Sequence, residues 1–287
     1  KATFAFLGGM SDLFYDVPPV VKPEIVNLAG AIIPSIYMLN NGRLHYLNTL
    51  YGAGKLGPSI AGDYHLAPFM AMADGSVPVT AFDDKNGRFL KLPGSAATSL
   101  IPFQPDAVNP QPFDLNNVKD TLLVLERGAR GYYYGIFKNK GSRYVYTINQ
   151  GASRDSLVSV GYQEVQNSPE FTQASFFTFS WSVPLLYYSV GNKIYLYDIL
   201  ANNSRLLYQF PAGEQVSALE MEHVSVNFFI AATPFENKRI AVATYDGTQG
   251  RVYYLNLSAT GEVVDNQYAQ KFEGFGKVSS LAYKIVK

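Results

Sequence analysis

Leu185-Leu186-Tyr187-Tyr188-Ser189-Val190-Gly191-Asn192-Lys193-Ile194-Tyr195-Leu196-Tyr197 is an apolar run, a Gly-Asn turn and a second apolar run. Gly and Asn tolerate the positive φ of tight hairpin turns, so this stretch predicts two antiparallel strands. The same grammar recurs along the chain. Ile36 to Leu39 turns through Asn40-Asn41-Gly42 into Leu44 to Leu47, and Val79 to Phe82 turns through Asp83 to Gly87 into Arg88 to Leu92. Leu122 to Leu125 passes Arg127 to Gly131 into Tyr132 to Phe137, and Ile240 to Thr244 passes Asp246 to Gly250 into Arg251 to Leu255. Turns spaced roughly 40 to 60 residues apart point to a β-propeller.

A propeller blade is a four-stranded antiparallel sheet whose innermost strand lines the channel, so an apolar strand is expected ahead of each hairpin. Ile25 to Ile33, His65 to Met72, Ala97 to Phe103, Ala174 to Trp181 and Val216 to His223 fill that role. At the ends, Val278 to Ile285 reads as an inner strand without a hairpin, while Thr3 to Leu7 and Leu13 to Tyr15 read as a hairpin without an inner strand. Pairing the two completes a blade and removes the open edges of the ring. The expectation is an all-β single domain over residues 1–287, a propeller of about six blades, with five or seven as alternatives because the spacing is irregular. Gln104 to Asn117 is too Pro-rich for a central strand, and Gly151 to Phe171 and Val224 to Lys238 read as long loops.

Composition agrees with one large β domain: 287 residues, 47% hydrophobic, with 21 Tyr and 19 Phe suited to pleated surfaces. Twenty-three basic residues balance 23 acidic ones without a Lys/Arg run, which argues against nucleic acid as a partner. The absence of Cys excludes disulfides and thiolate chemistry. No apolar stretch approaches the roughly 20 residues of a membrane-spanning helix. A first residue of Lys1 reads as a processed chain whose targeting segment lies elsewhere. Asn202-Asn203-Ser204 and Asn256-Leu257-Ser258 are formal sequons, read as chance triplets.

His45, His65 and His223 are the only imidazoles, and no pair has the spacing of a zincin-type site, so neither metal nor cofactor is expected. The glycine clusters precede no helical pattern and read as turns, and Gly-x-Ser-x-Gly is absent. Asp83-Asp84-Lys85-Asn86-Gly87 concentrates oxygen ligands but lacks the spaced carboxylates of an EF-hand, and reads as a solvated turn. Asp63, Asp83, Glu126 and Asp246 lie near strand ends, yet nothing in their spacing selects a glycosidase pair. Tyrosine doublets are assigned to packing between blades, since adjacent strand residues point to opposite faces. The expected binding set is Trp181 and Tyr64 for apolar contact, with His65, His223 and Arg130 for polar contact; no residue is assigned to catalysis.

Arg239 to Tyr254, with Gly261-Glu262, Phe275-Gly276-Lys277-Val278 and Gly62 to Phe69, resembles the propeller portion of the PKD-like family of Bacteroidetes surface lipoproteins. Genes of that family often lie beside SusC/SusD-type outer-membrane uptake systems. The resemblance implies an extracytoplasmic protein at the outer-membrane surface or in the periplasm, lipid-anchored through a segment outside this sequence and preceded by β-sandwich domains. Neither a lipobox Cys nor those domains stand in these 287 residues. The implied role is cell-surface binding or adhesion, with a glycan, peptide or protein as ligand and outer-membrane uptake proteins as partners. A glycan-active hydrolase or lyase at the channel mouth, and a structural scaffold, are the alternatives.

Overall fold

The computed structural model describes residues 2–4, 13–15, 24–27, 35–40, 43–48, 60–61, 64–68, 79–92, 99–152, 156–224 and 236–281. β1 (Ala2–Phe4) and β2 (Leu13–Tyr15) pair antiparallel. β3 (Glu24–Asn27), β4 (Ser35–Asn40), β5 (Arg43–Asn48) and β6 (Ile60–Ala61) form a four-stranded sheet in sequence order.

Four blades follow. Blade I holds β7 (Tyr64–Pro68), β8 (Val79–Asp83), β9 (Arg88–Leu92) and β10 (Ile101–Pro102). Blade II holds β11 (Gln104–Pro105), β12 (Thr121–Arg127), β13 (Tyr133–Asn139), β14 (Ser142–Gln150) and β15 (Ser156–Glu164), with β11 outermost and parallel to β15. Blade III is β16 (Phe177–Phe179), β17 (Leu185–Val190), β18 (Lys193–Asp198) and β19 (Asn203–Gln209). Blade IV is β20 (Gln215–Val224), β21 (Glu236–Tyr245), β22 (Gly250–Asn256) and β23 (Gln270–Phe275). The first strands touch in order, β3 beside β7, β7 beside β12, β12 beside β16 and β16 beside β20. Sheets joined edge by edge in this way are arranged radially, and the fold is an all-β propeller.

The core lies between blades. Phe82 and Phe89 of blade I bury against Leu125, Tyr133 and Phe137 of blade II. Tyr134 and Ile136 face the other way, onto Phe177, Phe179 and Tyr188 of blade III. Tyr187, next to Tyr188, turns to Leu219, Met221 and Tyr253 of blade IV. Each doublet therefore serves two interfaces, as strand alternation requires. On the far face of blade IV, Ala218, Ala243 and Val252 pack against Phe272, Val278 and Leu281.

Three expectations are corrected. Ala97 to Phe103 is not an inner strand: Ile101–Pro102 is the exposed outer edge of blade I, where a residue without an N–H is tolerated. The inner strand of blade II is β12, so the Leu122 hairpin supplies the first two strands of its blade. Gly151 to Phe171 is not a long loop but carries β15, whose exposed Val160 and Tyr162 blur its alternation. Of the expected closure, residues 278–281 carry no strand, and the pairing of 282–285 with the N-terminal hairpin lies outside the described residues. Residues 225–235 of the third long loop lie there too, and its last residues belong to β21.

Candidate functional site

Blades related by rotation run their inner strands in one direction, so the ring has a face where inner strands begin and a face where they end. Met221 N–H donates to Thr178 Oγ1 at 3.1 Å, which sets β20 and β16 level. Arg130 lies in the 3-10 turn Ala129–Gly131 just past β12, Trp181 lies two residues past β16, and His223 is the next-to-last residue of β20. The topology thus brings Arg130, Trp181 and His223 to the finishing face. Tyr64 and His65 open β7, opposite Asp83 and Phe82, and stand at the other face. The five expected residues divide three and two.

Trp181 is half-buried and held by its turn. Buried Ser180 accepts the amide N–H groups of Ser182 (3.3 Å) and Val183 (3.1 Å) through Oγ, a local bond that replaces the strand ladder as β16 ends. Ahead of Arg130, Gly128 packs so closely on the Tyr134 ring that a Cβ there would collide with it, and its N–H donates to Tyr132 O at 2.8 Å.

The opposite face carries a repeated turn. Asp83 accepts Asn86 Nδ2 at 2.7 Å and Arg88 Nε at 3.2 Å, so its oxygens serve its own hairpin, as expected of a structural turn. Asp246 does the same with Thr248, Gln249 and Arg251. Behind it, buried Glu214 accepts Thr244 Oγ1 at 2.5 Å and Tyr253 OH at 3.0 Å. These two carboxylates of the expected set are thereby committed to the fold, Glu126 lies on inner strand β12, and Asp63 lies outside the described residues.

Two features were not anticipated. Where β14 and β15 of blade II meet the connection to blade III, on the face where inner strands begin, a pocket of about 270 Å³ is lined by Arg143, Glu164, Ser168 and Phe171 among others. The second is Glu220, on β20 opposite Ala241, whose carboxyl burial pushes up to about 8. A Glu inside the apolar inner-strand run Leu219-Glu220-Met221 was the available signal. Among the described residues no cluster of three His, Asp or Glu could hold a metal, and no helix is long and apolar enough to cross a membrane.

No family model and no curated protein matches the chain. Among solved structures, a luciferin-regenerating enzyme aligns at 13% identity and TM-score 0.51, over 92% of this chain and 80% of that one. The WD40 domain of SCAP from fission yeast aligns at 12% identity and TM-score 0.39, over 84% of this chain and 61% of that one, so the chain spans less than two thirds of its length. A chain of the mitotic checkpoint complex aligns at 11% identity and TM-score 0.42, over 96% and 91%. At such identities the likeness concerns the fold alone.

Proposed function

We propose that this propeller is a non-enzymatic binding module that takes a glycan, peptide or protein ligand at the face where its inner strands end. The observation that carries the reading is the gathering of Arg130, Trp181 and His223 at that face from three separate blades. A tryptophan, an arginine and a histidine carried to one face are residue types suited to ligand anchoring, because large rings contribute most of the energy in binding patches. The likeness of 239–254 and 62–69 to PKD-like surface lipoproteins supports a place at a Bacteroidetes cell surface, lipid-anchored and beside a SusC/SusD-type uptake system. A glycan array and an outer-membrane pull-down with wild-type and Trp181→Ala protein test this. A bound glycan or protein should be lost by about tenfold or more in the variant. Unchanged capture by a folded Trp181→Ala protein removes the assignment, and no capture by wild type favours the scaffold reading.

A glycan-active hydrolase or lyase is the second reading, and Glu220 favours it. A carboxyl protonated at neutral pH on an inner strand has the character of a general acid. Glu126 of β12 supplies a second inner-strand carboxyl. Turnover of a defined glycan by wild type, abolished in Glu220→Gln, would replace the binding reading.

A further inference from the structure

Tyr162 stands on β15, the last antiparallel strand of blade II, and is 56% exposed. Its cross-strand neighbour Tyr146 is buried and stacks on it, with ring centroids 5.3 Å apart and planes 19° from parallel. One face of the Tyr162 ring is thus fixed against the protein, so an exposure above one half leaves the opposite face in solvent. Phe113 supports the pair from the side, edge-on to Tyr146 at 4.9 Å and to Tyr162 at 6.2 Å. Its backbone N–H donates to buried Ser159 Oγ at 3.3 Å, which pins that ring to the same strand, and Tyr146 OH donates to Asp120 Oδ2 at 2.6 Å. The platform is rigid before any ligand arrives, so little conformational freedom is lost on binding.

The surroundings select among ligands. Half-buried Tyr144 and exposed Glu164 are a cross-strand pair beside Tyr162, and Asp120 lies behind Tyr146. The charges bordering the rings are therefore acidic, while Lys138 and Arg143 face each other on the opposite side of the sheet, which disfavours an anion. The rings lie against one another rather than around a void, so they form no cage for an ammonium group. What fits is a neutral ligand with an apolar face to stack on a ring and hydroxyls at its rim to meet carboxylate and phenol oxygens. A pyranose has both. An open groove of about 350 Å³, which shares Phe113 with the platform and is lined by Pro105, Pro112 and Leu115, extends the apolar surface toward a neighbouring sugar unit. We propose that blade II carries a glycan-binding platform, with a neutral pyranose stacked on the open face of Tyr162 and its hydroxyls meeting Glu164 and Tyr144. The site is independent of the Trp181 face.

Calorimetric titration of the whole chain with maltohexaose, laminarihexaose, xylohexaose and mannohexaose tests the assignment, with hexagalacturonate and tetramethylammonium chloride as the anionic and cationic controls. At least one neutral oligosaccharide should bind in preference to both controls. Tyr162→Thr, which removes the ring but keeps a residue favoured in strands, should weaken it by about tenfold or more, and Tyr162→Phe by less than about threefold. Trp181→Ala should leave it unchanged. Should Tyr162→Thr fail to fold by thermal melting, the Trp181→Ala protein decides: sugar C–H protons stacked on Tyr162 should show upfield ring-current shifts there, and their absence overturns the assignment. The assignment also falls if no neutral oligosaccharide binds wild type, if a control binds as tightly, or if folded Tyr162→Thr binds like wild type. Loss of binding in Trp181→Ala instead would move the sugar to the finishing face and away from blade II.

Discussion

Arg251 Nη1 lies 2.6 Å from Asp246 Oδ2 across the turn that joins β21 to β22. The same arginine reaches Glu273 on β23 at 3.1 Å, so one side chain ties three successive segments of blade IV. In blade I, Arg88 meets Asp83 at the same sequence separation, Asp-x-x-x-Gly-Arg in both hairpins. The motif is a hairpin lock that two blades share.

Residues that act as one unit are non-additive. Asp246→Asn and Arg251→Met should each lower the melting temperature, and the double variant should lose clearly less than the two single losses combined. Thermal melts of the four proteins at low salt give the comparison. Strict additivity would mean that the arginine is held by its other neighbours and the lock is incidental.

Gly261 holds φ at +84°, and a Cβ there would sit 2.5 Å from Tyr187 Oη and 2.7 Å from Leu185 Cδ1, both in the interface between blades III and IV. Backbone strain and overpacking then act together, each costing about 1–3 kcal/mol. Gly261→Ala should lower the melting temperature by several degrees, while Gly141→Ala, with open space around its Cβ, should do so less. Equal melting temperatures would contradict the packing described.

The hairpins were legible because Gly marks tight turns chemically, as at Gly191 and Gly87, both of which hold a positive φ. Blade phase was less so. Leu122 to Phe137 is as good a hairpin as Leu185 to Tyr197, but one is strands one and two of a blade and the other two and three, a difference fixed by tertiary pairing. Trp181 and His223 could be placed near inner strands from pattern alone. Arg143 and Ser168 could not be joined in advance, since the connection ahead of β16 carries no strand pattern that would place it against β14.

Asp106 fastens the connection between blades I and II to the strand pair β14–β15. Its carboxylate accepts Ala152 N–H at 2.5 Å, then Val108 N–H at 2.8 Å and both nitrogens of Asn109, and these bonds hold its pKa at about 2. An unfolded Asp titrates near 4. The folded value being lower, this stabilisation is present above pH about 4 and is lost as pH falls toward about 2. Asp106→Asn should melt lower than wild type at pH 6, and the gap should close in acid. A gap independent of pH would show that the loss is steric.

Glu220 carries the opposite sign. Burial lifts its carboxyl to about 8, whereas an unfolded Glu titrates near 4.3, so between those values the folded chain keeps a proton that the unfolded chain has released. Stability contributed at this position is present below pH about 4.3 and declines as pH rises to about 8, with a ceiling of about 1.4 kcal/mol per pH unit for one proton. Glu220→Gln stays neutral throughout and escapes that decline. The melting temperature of the variant relative to wild type should therefore climb from pH 5 to pH 8 and level off beyond. Parallel curves would mean an ordinary, ionised carboxylate at neutral pH, and with it the loss of the feature that favours the hydrolase reading.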